Sequence, residues 1–398
     1  MRILITPAGD VQKIAIERAR RQGIYVIAAD GNPSAPGMKS ADLAVTGDIC
    51  DPGFLVKTAR DHNVDGILSL CCDANMLAVS QACSELGLAG ISQEVAMVSR
   101  NKLEQRKRLE QAGLKVPRFA SVLDASAAER RWKAWGERAV VIKPIDGSGS
   151  RGVHYIEMID EIKMSFRNAE EASPSKRVII EEYIEGVEYS VEGWVVEGKA
   201  NIIATSRKVR SCAPYLLDLE VHFPSGLSKE DEIHLTETAK KAVEACGYQD
   251  CPVHIECIMS SDGPVIVELA ARGAGFKVFT EILPRITGID TIQCSLDSAL
   301  GKATSLVDGK YLSSASLIFI SPKEGLLAGI DGIKEASSMD SIYEVEIYKK
   351  VGDTLCSLRS GSDRLGHILA FDVDPEKCRN SATQALNMIR VDVASYHE

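Results

Sequence analysis

The sequence lacks any run approaching ~18 consecutive apolar residues, so no segment reads as a membrane-spanning helix. A signal-peptide pattern is also missing, because MRILITPAGD reads as a short apolar strand followed by a turn. There is no excess of basic charge: 46 Lys and Arg stand against 56 Asp and Glu, a formal net charge of −10, which argues against a general nucleic-acid surface. The 11 cysteines contain no C-x-x-C; Cys71 and Cys72 are adjacent, and most of the others lie inside apolar runs. That pattern fits neither a secreted disulfide scaffold nor paired zinc-ligand spacing, and it predicts reduced, mostly buried thiols in a cytoplasmic protein. Low-complexity segments and sustained repeats are absent.

What is present is 45% hydrophobic residues over 398 positions, enough for two or three packed domains. Residues 2–6 and 24–30, ADLAVTG and 65–70 read as strands. They alternate with helical patterns over 10–22, 51–62 (Asp51 as N-cap, Pro52 in the first turn) and 75–86, which predicts a parallel, doubly wound sheet. The first turn is TPAGD rather than G-x-G-x-x-G, so Asp30 at the end of the second strand makes a poor dinucleotide acid. Residues 92–111 read as a charged helix in which Lys102 has the composition of a solvated lysine.

The stretch that organises the rest is VVIKPIDGSGSRG, 140–152. Gly147, Gly149 and Gly152 form a G-x-G-x-x-G, but VHYIE follows with strand alternation instead of a helix. A glycine loop between two strands reads as a flap whose backbone N–H groups face a triphosphate, with Ser148 and Ser150 in it and Lys143 as its cation. A nicotinamide dehydrogenase would need the glycines to open a helix, and is remote on that ground. Downstream, 177–195 places Glu181 and Glu182 at the end of one apolar strand and Glu188 just after the next turn, where a ribose acid would sit. Arg207, Lys208 and Arg210 follow the strand 200–205 as a cationic loop suited to phosphate or carboxylate, and His222 precedes an F-P-S-G turn. Ser228, with Asp231 three residues on, starts a helix over 228–246.

In PVHIECIMSSDGPVIVELAARGAGF, 252–276, two strands flank a hairpin turn, with Glu256 in the first and Glu268 in the second among apolar neighbours. Two such acids suit a hard divalent cation, and Arg272 beyond them suits developing charge on phosphate or acyl phosphate. From 311 onward the chain reads as a further α+β unit, with Arg364 and Gly366 at a turn and a terminal helix over 375–389.

In this order the motifs resemble the ATP-grasp superfamily of carboxylate–amine ligases, across essentially the whole chain. The resemblance implies an α/β and α+β molecule. Its parts would be an N-terminal α/β domain over 1–95, an ATP-grasp domain over 96–310 with a lid over about 118–184, and a C-terminal α+β domain over 311–398. It implies ATP with Mg²⁺ as cofactor, Mn²⁺ as a substitute, and small-molecule carboxylate and amine substrates, with a homodimer as the assembly that relatives suggest. By resemblance, Lys102 and Lys143 bind phosphates, 147–152 is the flap, and Glu181, Glu182, Tyr183 and Ile184 hold adenine. Glu188 takes the ribose, Glu256 and Glu268 the metal, and Arg272 stabilises the acyl phosphate; the residues themselves make Arg207, Lys208, Arg210, His222, Arg272 and Gly273 candidates for the substrate side. One departure stands out: the family pattern E-x-N-x-R is here Glu268-Leu-Ala270-Ala-Arg272, and Ala270 offers no metal ligand. The following A-R-G-A-G is similar to that of bacterial L-amino-acid (dipeptide) ligases. The expected reaction is ADP-forming ligation through an acyl phosphate; a bicarbonate-using carboxylase and a non-catalytic ATP-binding protein are the alternatives.

Overall fold

In the computed structural model, which describes residues 1–304, 306 and 310–394, the first four strands form a parallel sheet. They are β1 (Arg2–Ile5), β2 (Tyr25–Asp30), β3 (Leu43–Thr46) and β4 (Gly66–Leu68), in the order β3-β2-β1-β4. The helices α1 (Asp10–Arg21) and α2 (Pro52–His62) connect β1 to β2 and β3 to β4, and α3 (Met76–Leu86) follows β4. Side-chain alternation sends Ile3, Ile5, Val26 and Ala28 to one face, towards Ala15 and Ile16 of α1. Leu4, Ile27 and Ala29 go to the other, towards Leu55 of α2 and Val79 of α3, so both faces are covered. Asp51 caps α2 as its sequence implied, accepting from the Gly53 N–H at 2.9 Å.

The charged stretch 92–111 is two helices rather than one, α4 (Gln93–Ser99) and α5 (Lys102–Gln111), each with its own N-cap, Ser92 and Asn101. A four-stranded antiparallel sheet follows, in the order β5-β8-β6-β7. Its elements are β5 (Phe119–Val122), α6 (Ala125–Ala134), β6 (Val140–Pro144), β7 (His154–Ile156), α7 (Ile159–Ala172) and β8 (Val178–Glu182). Val140, Ile142, Val178 and Ile180 pack there against Trp132 of α6 and Phe166 of α7. The loop 145–153 therefore joins two antiparallel strands, with Ile142 opposite His154 at its base.

The largest element is an eight-stranded sheet in the order β13-β12-β9-β10-β11-β14-β18-β16. It comprises β9 (Val187–Val196), β10 (Lys199–Arg210), β11 (Asp218–Phe223), then α8 (Lys229–Cys246), β12 (Pro252–Ser260) and β13 (Gly263–Ala270). After α9 (Leu283–Thr287) and α10 (Thr291–Ala299) come β14 (Ser314–Ile320), β15 (Gly325–Asp331), α11 (Ile333–Ser337), β16 (Ile342–Ile347), β17 (Thr354–Leu355) and β18 (Gly366–Asp372). The chain closes with α12 (Pro375–Met388) and β19 (Arg390–Ala394). β10 continues past 205 through Arg210, so the expected cationic loop is strand: β9 on one side and β11 on the other supply ladder partners beyond its apolar part. β14 pairs with β11, so the sheet is continuous across residue 310. β19, which follows the expected terminal helix, pairs with β15 in a separate sheet of order β17-β15-β19. Among the described residues no helix is long and apolar enough to cross a membrane.

Candidate active site

One face of the large sheet is apolar and the other carries the charge. In β9, Tyr189, Val191 and Val195 point towards Leu235, Ala239 and Val243 of α8, which buries that face. The alternate residues Glu188, Ser190 and Glu192 therefore stand on the opposite face. Register extends that face across the sheet: Glu256 lies opposite Ser190 and His254 opposite Glu192. Glu268 in turn lies opposite Glu256, and Ala270 opposite His254. On the other side Ser206 faces Ser190, Lys208 faces Val221, and Val221 faces Leu317. The two acids singled out in the hairpin are thus nearest neighbours across one strand pair, on one face.

Each of those acids is held by a lysine. Lys208 Nζ lies 2.5 Å from Glu256, 3.0 Å from Glu188 and 3.2 Å from Asp218. Burial opposes the ammonium, but the three carboxylates outweigh it and push its pKa well above the ordinary lysine value. Burial likewise opposes the Glu256 carboxylate, and Lys208 with His254 hold it well below its usual range. Lys102 Nζ donates to Glu268 at 2.9 Å and to the Gly147 carbonyl at 2.8 Å. It is 6% exposed, not solvated as its composition suggests. The reason is α5 itself: its first backbone N–H donates to the Ile145 carbonyl, and Gln105 bonds the carbonyls of Val98, Ser99 and Leu269, so polar side chains are buried with partners.

A second ionic cluster lies at the root of the glycine loop. Lys143 Nζ is 2.8 Å and Arg106 Nε 2.9 Å from Glu181, all three within the protein interior. Burial raises the Glu181 carboxyl, and the Arg106 and Lys143 charges overcome it and leave the group below its usual value. Burial lowers the Lys143 ammonium, only partly offset by Glu181. Beside this cluster, Val141, Val153, Tyr183, Ile184, Leu216, Ile258, Val265 and Val267 line a narrow apolar slot between the small sheet and the large one. Its shape and lining suit a flat aromatic base.

The slot lies near a larger cavity of about 280 Å³ lined by Ser148, Gly149 and Ser150 of the loop, Glu192, Lys208, Asp218, His254, Glu256, Glu268, Arg272, Phe276 and Arg364. Asp73, just beyond the C-terminal end of β4, also lines it and ion-pairs with Arg272 at 2.7 Å. Burial works against the Asp73 carboxylate, and Arg272 more than compensates, holding it below its ordinary value. His254 Nδ1 is 2.7 Å from Glu192 and its Nε2 3.5 Å from Glu256; against the penalty of burial, these acids raise its pKa to about 9. The loop reaches the cavity because Gly149, at φ +66°, adopts the left-handed turn that glycine takes without strain. Gly152 serves packing, since a Cβ there would lie 2.7 Å from that of Ala172.

The structure brings Lys102, Lys143, Gly147 to Ser150, Lys208, Glu256, Glu268 and Arg272 together, with Tyr183, Ile184 and Arg210 on the slot. The other expected residues are engaged or placed elsewhere. Glu188 is 5% exposed, and its carboxylate is the charge partner of Lys208 and Arg210. The Glu181 and Glu182 side chains are likewise committed, to Lys143 with Arg106 and to Arg118. Arg207 and His222 lie opposite each other in register, one residue out of phase with Lys208 and Val221, which puts both on the far face of the sheet. His222 bonds Ser316 and Glu220 there. Gly273 is a packing glycine: a Cβ would lie 2.2 Å from the Phe279 ring.

Sequence reasoning missed Asp73, Arg106, Glu192, Asp218 and His254. Two of these carried a signal. His254 and Glu256 are two apart on one strand and must share a face, and Asp73 follows a parallel strand at the end where such sheets bind ligands.

Residues 137–280 match the ATP-grasp domain family, and residues 317–394 match L-amino acid ligase C-terminal domain 2. The chain is 24% identical over 322 residues to an uncharacterized protein of Sinorhizobium fredii, covering 80% of this chain and 66% of that one. It is 28% identical over 280 residues to the alanine–anticapsin ligase of Bacillus subtilis, covering 64% of this chain and 58% of that one. It therefore spans 58–66% of the length of these curated relatives. The crystal structure of an L-amino acid ligase from Bacillus licheniformis superposes with a TM-score of 0.85 at 21% identity, over 99% of both chains, which shows the fold to be the same.

Proposed function

We propose that this chain, which carries an ATP-grasp domain followed by an L-amino acid ligase C-terminal domain, is an ATP-dependent, ADP-forming ligase. It activates a small carboxylate, in our reading an amino acid, as an acyl phosphate and joins it to an amine. The observation that carries the proposal is the register of Glu256 with Glu268 on the cavity face, with Ser148 to Ser150 and Arg272 lining the same cavity.

The donor set fits a hard divalent cation, here assigned as Mg²⁺, which Glu256 and Glu268 would hold, with no oxygen from Ala270. When bound, the cation supplies charge neutralisation between the phosphates. The apolar slot takes the adenine. Lys143 and Lys102 turn part of their charge from Glu181 and Glu268 to the phosphates, and the loop N–H groups around Gly149 cover the terminal one. Arg272, fixed by Asp73, orients the attacking carboxylate and holds the acyl phosphate that results. An amine then attacks the acyl carbon, the phosphate leaves, and the ammonium proton must pass to solvent or to a nearby acceptor. No side-chain nucleophile takes part; positioning and fixed charge lower the barrier. The loop and Arg272 also keep water from the acyl phosphate.

The test is ADP release over a panel of amino acids and other carboxylates, with hydroxylamine as a general acceptor and mass spectrometry of the products. Hydroxamate formation coupled to ADP is expected. Bicarbonate-dependent ADP release without hydroxamate would replace the proposal with a carboxylase.

A further inference from the structure

Among the described residues, seven buried or half-buried cations stand around the site, and six have a carboxylate: Lys102 has Glu268, Lys143 and Arg106 have Glu181, Lys208 has three acids, Arg210 has Glu188, and Arg272 has Asp73. Arg364 is the exception. Its guanidinium, 3% exposed, lines the same cavity from the turn before β18. Its Cζ lies 3.5 Å from the Phe319 ring centroid and 4.4 Å from that of Phe276. Nη2 donates to the Asp218 carbonyl at 2.6 Å, while Nε and Nη1 have no hydrogen-bond partner. Among the described residues no carboxylate oxygen pairs with it.

A buried guanidinium with two unpaired nitrogens is costly, and stacking on two rings offsets only part of that cost. Rings against the guanidinium direct any further partner to its in-plane edge, which is the approach a planar carboxylate takes. Gly361 also lines the cavity, and a Cβ there would lie 3.5 Å from Nη1, so the missing side chain leaves that edge uncrowded. Phe276 is 47% exposed, with both it and Lys277 at positive φ (49° and 64°), so one of the two rings is a surface residue in an unusual backbone state.

We propose that Arg364, between Phe276 and Phe319, anchors a substrate carboxylate that is not the one being activated. This rests on the ligase reading above, because in that reaction the activated carboxylate is the one oriented by Arg272 beside Glu256 and Glu268. The remaining carboxylate belongs either to the amine, which is then an amino acid, or to the acid, which is then a dicarboxylate. In both cases its carbon is untouched, and its charge completes the one unneutralised cation of the cavity.

The experiment compares matched pairs that differ only in that carboxylate: amino acid against amino amide as acceptor, and dicarboxylate against its monoamide as donor, the latter with hydroxylamine as acceptor. For wild type and for Arg364→Met, which keeps bulk between the rings, kcat/KM is read for each member, and KM for ATP is read alongside. The expected result is a discrimination ratio that falls at least tenfold in one pair, identifying the carrier, with Arg364→Lys intermediate. Equal losses on both members of every pair, or no change in any ratio, would overturn the assignment. Thermal-shift titration of the same pairs without nucleotide reads the contact apart from turnover. If wild type releases no ADP with any acid, the ligase reading fails; a carboxylate-dependent shift abolished by Arg364→Met then still supports the anchor, and no such shift overturns it.

Discussion

Lys143, Arg106 and Glu181 show how much of the site is decided by charge in a dry place. Glu181 neutralises two cations at once, so the two truncations around it have different consequences. Glu181→Ala leaves Arg106 and Lys143 buried without a counter-charge and should cost about 3–5 kcal/mol of stability, measured by denaturant unfolding. Lys143→Ala leaves the Arg106–Glu181 pair intact, so it should fold, while ADP formation drops by about 100-fold or more. Near-normal turnover in a folded Lys143→Ala protein would remove that lysine from the phosphate site. His254 offers a pH test. Its pKa is raised from the ordinary 6.5 to about 9. Its pairing with Glu192 therefore stabilises fully below pH 6.5, declines above it, and is lost as pH rises through about 9. The stability gap between wild type and His254→Gln should shrink across that window; a gap that widens with pH would contradict the pairing. Residues such as His254, Glu192 and Asp218 were illegible one at a time because a strand acid or histidine reads the same in sequence whether its partner is water or another buried charge. Strand phase tells neighbouring candidates apart: Lys208 and Arg207 are adjacent cations, and only one can face the cavity.

At the level of elements, the glycine loop was the most legible feature, because the alternation of VHYIE after it excluded a helix, and it does join antiparallel strands. α5 was the least legible. Its sequence KLEQRKRLEQ has no apolar stripe, yet Lys102, Gln105 and Arg106 are buried. Hydropathy cannot report burial secured by hydrogen bonds to carbonyls and ion pairs with distant acids. β10 was read too short for a related reason: strand length here follows the partners on either side more than its own residues. The loop makes its own prediction. Gly149→Val puts a β-branched side chain at φ +66°, where no atom lies within 4 Å. The strain, about 1–2 kcal/mol, is therefore conformational and falls on the loop. KM for ATP should rise severalfold with little change in Tm; a large Tm loss would show that the loop is part of the packed core instead.

Across the whole molecule, three sheets contribute to one face of the large sheet. The parallel sheet contributes Asp73 beyond β4, the small antiparallel sheet contributes Lys143 and the loop, and the large sheet supplies Glu256, Glu268 and Lys208 from neighbouring strands. The order of elements was readable from periodicity and turn residues, since each layer has its own repeat of apolar positions. Their convergence was not, because the register of β9, β12 and β13 and the docking of α5 are fixed by contacts between residues far apart in the chain. The same convergence explains why no single motif sufficed: the glycine loop, the paired glutamates and the arginine acquire a joint meaning only when one cavity contains them all. The central claim, that this cavity transfers the terminal phosphate of ATP to a carboxylate, is tested most directly by quantifying nucleotide products with an amino-acid panel and hydroxylamine. ADP, phosphate and hydroxamate in equal amounts are expected for at least one acid, whereas AMP with pyrophosphate would contradict that transfer.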